Sequence, residues 1–156
     1  MTLRYPVGTS GEQIHLVLNV LEHFEHNRQT RFWQKEAGGQ IFARLEGSEI
    51  IVEQVTGPKE SDKRSRYSHA SCRSAAQAEV DAHYMLGLHY LGDWHTHPEL
   101  IPSPSWRDKM TMASRVRSSK HRLRGFLFII VGTGSFPVGL AVLAHDGTCA
   151  HRLTAQ

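Results

Sequence analysis

The run Phe126-Leu-Phe-Ile-Ile-Val131 is the most apolar segment of the chain, and it constrains the fold more than any other stretch. Six consecutive apolar residues have no polar face to turn to water, so the segment reads as a central strand covered on both sides. A sheet buried on both faces needs further layers of helix or sheet around it.

The flanking segments supply those layers. Ile14, Val17, Leu18, Leu21 and Phe24 recur at helical spacing, which predicts an amphipathic first helix from Gly11 to Gln29. Gly38-Gly39 breaks any helix after Glu36, and Gln40–Leu45 then reads as a strand that turns through Glu46-Gly47-Ser48 into a second strand, Glu49–Val55. Gly57 to Arg66 is polar and aperiodic, an exposed loop before a short strand near Tyr67. Ser74 can cap a second helix running to about Leu88, with Ala76, Val80, His83 or Tyr84, and Leu88 on its buried side.

Leu91 to His97 reads as a short strand, and Pro98, Pro102 and Pro104 hold an extended loop after it. Ser105 and Asp108 have the spacing of a helix start. A third helix is expected from there towards Ser119, with Met110, Ala113 and Val116 inward. Val138–Ala144 adds a strand after the Gly134-Ser-Phe-Pro137 turn, and Cys149–Leu153 an edge strand. This order predicts an α/β (α+β) sandwich, a mixed sheet with helices packed against it, in one domain spanning 1–156.

Composition narrows the chemistry. No run of 18 or more apolar residues exists, and the opening residues lack a secretion signal, so a cytoplasmic protein without membrane contact is expected. Cys72 and Cys149 are far apart and form no C-x-x-C pair, so any metal must use histidine and carboxylate. The net charge of +3 is mildly basic and does not imply nucleic acid. Eleven histidines are more informative, through their spacing.

His95-Thr96-His97 lies in a predicted strand, where residues i and i+2 project from one face about 6.6 Å apart, a span that two imidazoles can close around one ion. The pair suits zinc, cobalt or nickel. Asp108 can bring an anionic third ligand, and three protein ligands leave a fourth position open for water, the mark of a catalytic site. Hydrolysis then needs a carboxylate to take and deliver the proton, and Glu36 is the candidate, with Glu46 and Glu49 as fallbacks. The absence of side chains at Gly38-Gly39 would let a peptide or backbone approach closely.

Simpler readings stand beside these. Ser105 and Asp108 are also an ordinary helix cap, Glu36 after Lys35 also a solvated carboxylate, and the histidines a hydrogen-bonded strand pair. Trp94, opposite the histidines by alternation, reads as a core or site-wall aromatic. His121, His145 and His151 have no partnered spacing and read as structural or exposed. The basic groups Lys63-Arg64-Arg66 and Arg115 to Arg124 read as solvated faces or as docking surfaces.

His95-Thr96-His97, seven intervening residues, Ser105, two more and Asp108 together match H-x-H-x7-S-x-x-D, the signature of the JAMM/MPN metallopeptidases, which this chain resembles. A shuffled chain of this composition gives about 0.002 such matches. Gly92-Asp-Trp-His-Thr-His-Pro98 looks like the family's G-x-[WY]-H-[ST]-H-P strand, and Glu36 lies upstream at the start of a Gly-rich strand, as the family's catalytic glutamate does. The resemblance implies a mixed β-sheet flanked by helices, cytidine-deaminase-like. It also implies one zinc ion per chain on His95, His97 and Asp108, Glu36 as acid/base, and Ser105 orienting the water and stabilising the tetrahedral intermediate.

JAMM enzymes typically cleave after the C-terminal glycine of ubiquitin or a ubiquitin-like modifier. Glu36-Ala-Gly-Gly and the segment from Trp94 to Ser105 look most like the bacterial JAMM peptidases of CBASS anti-phage operons, which reverse attachment of a CD-NTase C-terminus made by an E1/E2-like enzyme. The implied partner is a protein substrate whose extended C-terminal tail lies along a strand edge. The alternatives are a peptidase for sulfur-carrier or other ubiquitin-like conjugates, and a non-catalytic MPN scaffold or a DNA-associated domain like the RadC group.

Overall fold

The computed structural model describes residues 2–118 and 125–156. Phe126–Val131 is indeed a strand buried at every position, here β8. Phe126, Phe128 and Ile130 join one apolar cluster, whereas Leu127, Ile129 and Val131 join another on the opposite face. Strand alternation thus divides six apolar residues between two cores.

The remaining elements, in chain order, are β1 (Leu3–Pro6), β2 (Gln13–Leu16), α1 (Leu18–His26), β3 (Gly38–Glu46), β4 (Glu49–Val55), β5 (Lys63–Ser65), β6 (Ser68–Ala70), α2 (Arg73–Tyr84), β7 (His89–Thr96), α3 (Trp106–Ser118), then β9 (Leu140–His145) and β10 (Ala150–Arg152) after β8. Eight strands form one sheet in the order β1-β2-β4-β3-β7-β8-β9-β10, and β5-β6 is a separate hairpin. The β2–β4 and β7–β8 pairs are parallel and the others antiparallel, so the sheet is mixed as expected. It curls until the backbone N–H of Gln156 donates to the carbonyl of Arg4 in β1 at 2.9 Å.

Several expected boundaries move. Gly11–Gln29 is not one helix, because Ile14 and Leu16 alternate into the core as part of β2, which pairs with both β1 and β4. Only Leu18–His26 is helical, burying Val20, Leu21 and Phe24. The stretch expected to be loop over Gly57–Arg66 contains β5, and the short strand expected near Tyr67 is β6, with Tyr67 itself in the hairpin turn. Helix α2 starts from Cys72 rather than Ser74 and buries no residue fully. It lies on the sheet through His83, stacked 3.9 Å from Phe42, and Leu88 is buried beyond its end.

In α3 the buried residue is Met112, while Met110 is exposed. Asp108 sets the helix rotation. Met112 and Val116 lie four and eight residues after it and therefore share its face, which turns towards the sheet. The end of this helix towards Ser119, His121 and most of the basic group up to Arg124 lie outside the described residues.

At Gly38 and Gly39 the start of β3 passes close to neighbouring parts of the chain. A Cβ at Gly39 would stand 1.6 Å from the carbonyl oxygen of Thr56, and one at Gly38 would stand 2.7 Å from the His69 ring. The close backbone approach expected of this glycine pair is made by the chain itself. Trp94 is buried opposite the histidines, its ring 5.2 Å from Phe24 and its indole N–H donating to Thr56 O at 2.9 Å.

Candidate metal centre

The β3–β7 register places Gly38 opposite His95. One step further, Thr96 N donates to Ala37 O at 2.9 Å and Ala37 N donates back to the Thr96 hydroxyl at 2.9 Å. Glu36 is thereby carried to the end of β7 where His95 and His97 emerge. Its backbone is pinned on both sides, since Glu36 N donates to Ser65 O at 2.7 Å and Arg64 Nε donates to Glu36 O at 2.7 Å.

Asp108 arrives from the other direction, in the first turn of α3. Ser105 N donates to Asp108 Oδ2 at 2.8 Å and Asp108 N donates to Ser105 Oγ at 3.0 Å, a reciprocal cap that closes the helix start. The same carboxylate reaches both imidazoles. Oδ1 is 3.2 Å from His95 Nε2, Oδ2 is 3.1 Å from His97 Nε2, and the two Nε2 atoms are 3.2 Å apart.

These three donors fit a metal ion. Ligand atoms about 2.0–2.1 Å from a tetrahedral ion lie roughly 3.3 Å from one another, close to the spacing seen here. With the ring protons on Nδ1, the two Nε2 atoms and a carboxylate oxygen of Asp108 offer three ligand atoms to one cation. Glu99 stands 3.6 Å from His97 Nδ1, near enough to attract charge but beyond a hydrogen bond.

The electrostatics follow from burial and proximity. Burial would push the Asp108 carboxyl up, but bonding to His95 and His97 and the Ser105 N–H outweigh it and hold the group well below the usual carboxylate range. Burial would lower His97, but the carboxylate of Asp108, with smaller help from Glu36 and Glu99, raises it. Glu36, only 6% exposed, is raised by burial, and His95 and His97 offset part of the rise.

Glu46 and Glu49 sit in and beside the β3–β4 turn, at the end of β3 remote from Gly38. Glu49 is paired with His15 there. Two histidines also receive settings that their spacing did not reveal. His145 is buried and its Nδ1 accepts from Gly147 N at 3.0 Å, while exposed His151 lies 2.8 Å from Asp146 Oδ2 and 3.4 Å from Cys149 Sγ.

Sequence reasoning passed over Gln29. Its side chain is buried, its Oε1 accepts from the Thr96 hydroxyl at 2.8 Å, and its Nε2 donates to Arg66 O at 2.8 Å and Gln34 O at 3.3 Å. One amide joins the strand carrying the histidines to the loop leading into Glu36 and to the β5–β6 hairpin. No periodic signal marks such a residue.

Residues 19–142 match the family described as prokaryotic homologs of the JAB domain. The chain belongs to that family. It is 30% identical over 138 residues to a protein of Pseudomonas aeruginosa named CD-NTase/cGAS isopeptidase, covering 86% of this chain and 87% of that one. A protein of Vibrio cholerae with the same name is 27% identical over 80% of this chain and 77% of its own length. A probable metalloprotease, y4qB, of Sinorhizobium fredii is 31% identical over 60% of each chain. The solution structure of protein DSY2949 from Desulfitobacterium hafniense superimposes with a TM-score of 0.57 at 19% identity, over 88% of this chain and 87% of that one, and shows the shared fold.

Proposed function

We propose that this JAB-domain chain is a zinc-dependent isopeptidase. In this reading it hydrolyses the amide bond after the C-terminus of a conjugated CD-NTase or a ubiquitin-like modifier and so reverses E1/E2-type conjugation in bacterial antiviral (CBASS) defence. The observation that carries the reading is the convergence of His95, His97 and Asp108 beside a buried carboxylate, Glu36. The names of the Pseudomonas and Vibrio relatives support the substrate class.

Zinc on the three ligands supplies Lewis acidity, which polarises a carbonyl and makes water a better acid. Glu36 takes the proton from the attacking water and returns it to the departing amine. Burial suits it to the task, because a carboxylate with a raised pKa is the stronger base. Asp108 stays ionised as the anionic ligand. The Ser105 hydroxyl already accepts the Asp108 N–H, and its remaining capacity is assigned to the water and the tetrahedral oxygen.

The protein substrate offers an extended C-terminal tail along a strand edge. Residues 1–156 act as one catalytic domain in the bacterial cytoplasm in this reading. Among the described residues no helix is long and apolar enough to cross a membrane. The test is cleavage of a CD-NTase joined through its C-terminus to a reporter protein. Glu36→Gln and Asp108→Ala are expected to abolish cleavage while each variant remains folded, and full activity in either refutes the site.

A further inference from the structure

Beside Glu36, the loop between α1 and β3 and the turn of the β5–β6 hairpin expose large aromatics that the folded core does not explain. Phe32 is 78% exposed, Trp33 62% and Tyr67 71%. They are not scattered. The Phe32 and Trp33 rings meet edge-to-face at 5.2 Å, the Arg31 guanidinium lies 5.4 Å over Trp33, and the Arg66 guanidinium lies 5.7 Å over Tyr67. Arg66 Nη1 donates to Arg31 O at 3.0 Å and joins the two halves.

The surface is also built rather than loose. Its loop is tied by Gln29 to Thr96, between the two histidines, and its hairpin is tied to the backbone of Glu36. Trp33 precedes Glu36 by three residues, so the two Cα atoms are at most about 11 Å apart. The exposed Trp33 ring therefore belongs to the short segment that delivers Glu36 to the site.

Charge identifies the occupant. The segments 30–36 and 63–70 hold Arg31, Lys35, Lys63, Arg64 and Arg66, and their sole acid is the buried Glu36. Among the described residues no carboxylate lies within ion-pairing distance of Arg31 or Arg66. Exposed tryptophan, tyrosine and arginine are the side chains that anchor protein interfaces when desolvated.

We infer that Arg31, Phe32, Trp33, Arg66 and Tyr67 form a docking surface for an acidic segment of the protein substrate, one that carries apolar side chains between its carboxylates and lies next to the cleaved bond. The inference rests on the peptidase reading for its substrate and deepens it. Apolar groups of the segment cover the rings, and its carboxylates meet the guanidinium edges. A nucleic-acid strand shares some of this chemistry, but a surface tied to the candidate base of a JAB-domain centre favours a polypeptide.

The test measures anisotropy of three fluorescein-labelled probes on the full chain: a short peptide alternating aspartate and leucine, its asparagine–leucine counterpart, and oligothymidylate. The acidic peptide is expected to bind at least about tenfold tighter than its neutral counterpart and than oligothymidylate, and to weaken with salt. R31E/R66E and Trp33→Ala are each expected to lose about tenfold while melting at the wild-type temperature, and Glu36→Gln to bind normally. Equal binding of the neutral peptide, tighter binding of oligothymidylate, or undiminished binding by the surface variants overturns the inference. Cleavage of the CD-NTase conjugate separates the two readings: wild-type cleavage by R31E/R66E overturns the docking surface alone, whereas wild-type cleavage by Glu36→Gln overturns the peptidase reading and leaves the binding result to judge the surface.

Discussion

The hydroxyl of Thr96 donates to the amide oxygen of Gln29 across 2.8 Å, in a place where both side chains are buried. Thr96 also accepts the N–H of Ala37, so the residue between the two histidines holds both the loop before Glu36 and the start of β3. Truncation at Gln29→Ala leaves the Arg66 carbonyl and the Thr96 hydroxyl without this partner, at a cost of about 1–3 kcal/mol. Thermal unfolding should therefore begin lower by roughly 2–10 °C. Conjugate cleavage should fall mainly through kcat, because the amide acts by placing Glu36. An unchanged melting temperature together with an unchanged kcat would show that the amide is dispensable.

Metal content checks the ligand assignment without reference to activity. Zinc measured after purification should be about one ion per chain in the wild type and a small fraction of that in His97→Ala or Asp108→Ala. Chelation should lower the melting temperature, since an ion held at 100 times its Kd stabilises by about 2.7 kcal/mol, and zinc should restore it. An Asp108→Ala chain that keeps its full metal load would place the ion elsewhere.

Gly39 tests the packing that carries Glu36 to the site. A methyl group there collides with the Thr56 carbonyl, which belongs to rigid backbone beyond the end of β4 and has no side chain to swing away. Gly39→Ala should cost about 3 kcal/mol or more and yield poorly soluble protein. Gly47 has φ +62° and a Cβ there would meet nothing within 4 Å, so asparagine, which tolerates this left-handed conformation, should be accepted at little cost. Comparable urea midpoints for the two variants would contradict the close approach.

The cluster of His95, His97 and Asp108 was legible in the sequence because strand geometry puts the H-x-H pair on one face and the helix-start spacing sets Asp108 in a first turn. Phe126–Val131 and the hairpin at Gly47 were legible for the same reason: burial and turn chemistry are local. The start of the first helix was misread because Ile14 and Leu16 satisfy period two and period 3.6 over so short a span, and only pairing with β1 and β4 decides. The face of α3 depended on Asp108 being held by two histidines from another element. Gln29 joins segments 37 and 67 residues away in sequence, and nothing around it announces its partners.

Asp62 and His69 give the last test, in acid. Asp62 Oδ2 lies 2.8 Å from His69 Nε2 and accepts Lys59 N–H at 2.9 Å, both side chains being nearly closed to water. The His69 ring in turn fills the space beside Gly38, next to the strand that carries His95. Burial would raise the Asp62 carboxyl, but the Lys59 N–H and His69 outweigh it and lower the pKa below its ordinary value. A carboxyl whose folded pKa is depressed stabilises fully above its unfolded pKa, about 3.9, and loses that contribution as pH falls towards the folded value. Asp62→Asn should therefore unfold at lower urea near pH 6, by about 1–3 kcal/mol. Below about pH 4 the gap should narrow, as the wild type surrenders what the variant never had. Urea midpoints of the two proteins that run parallel from neutral pH to pH 3 would show that this pair carries no acid-linked stability.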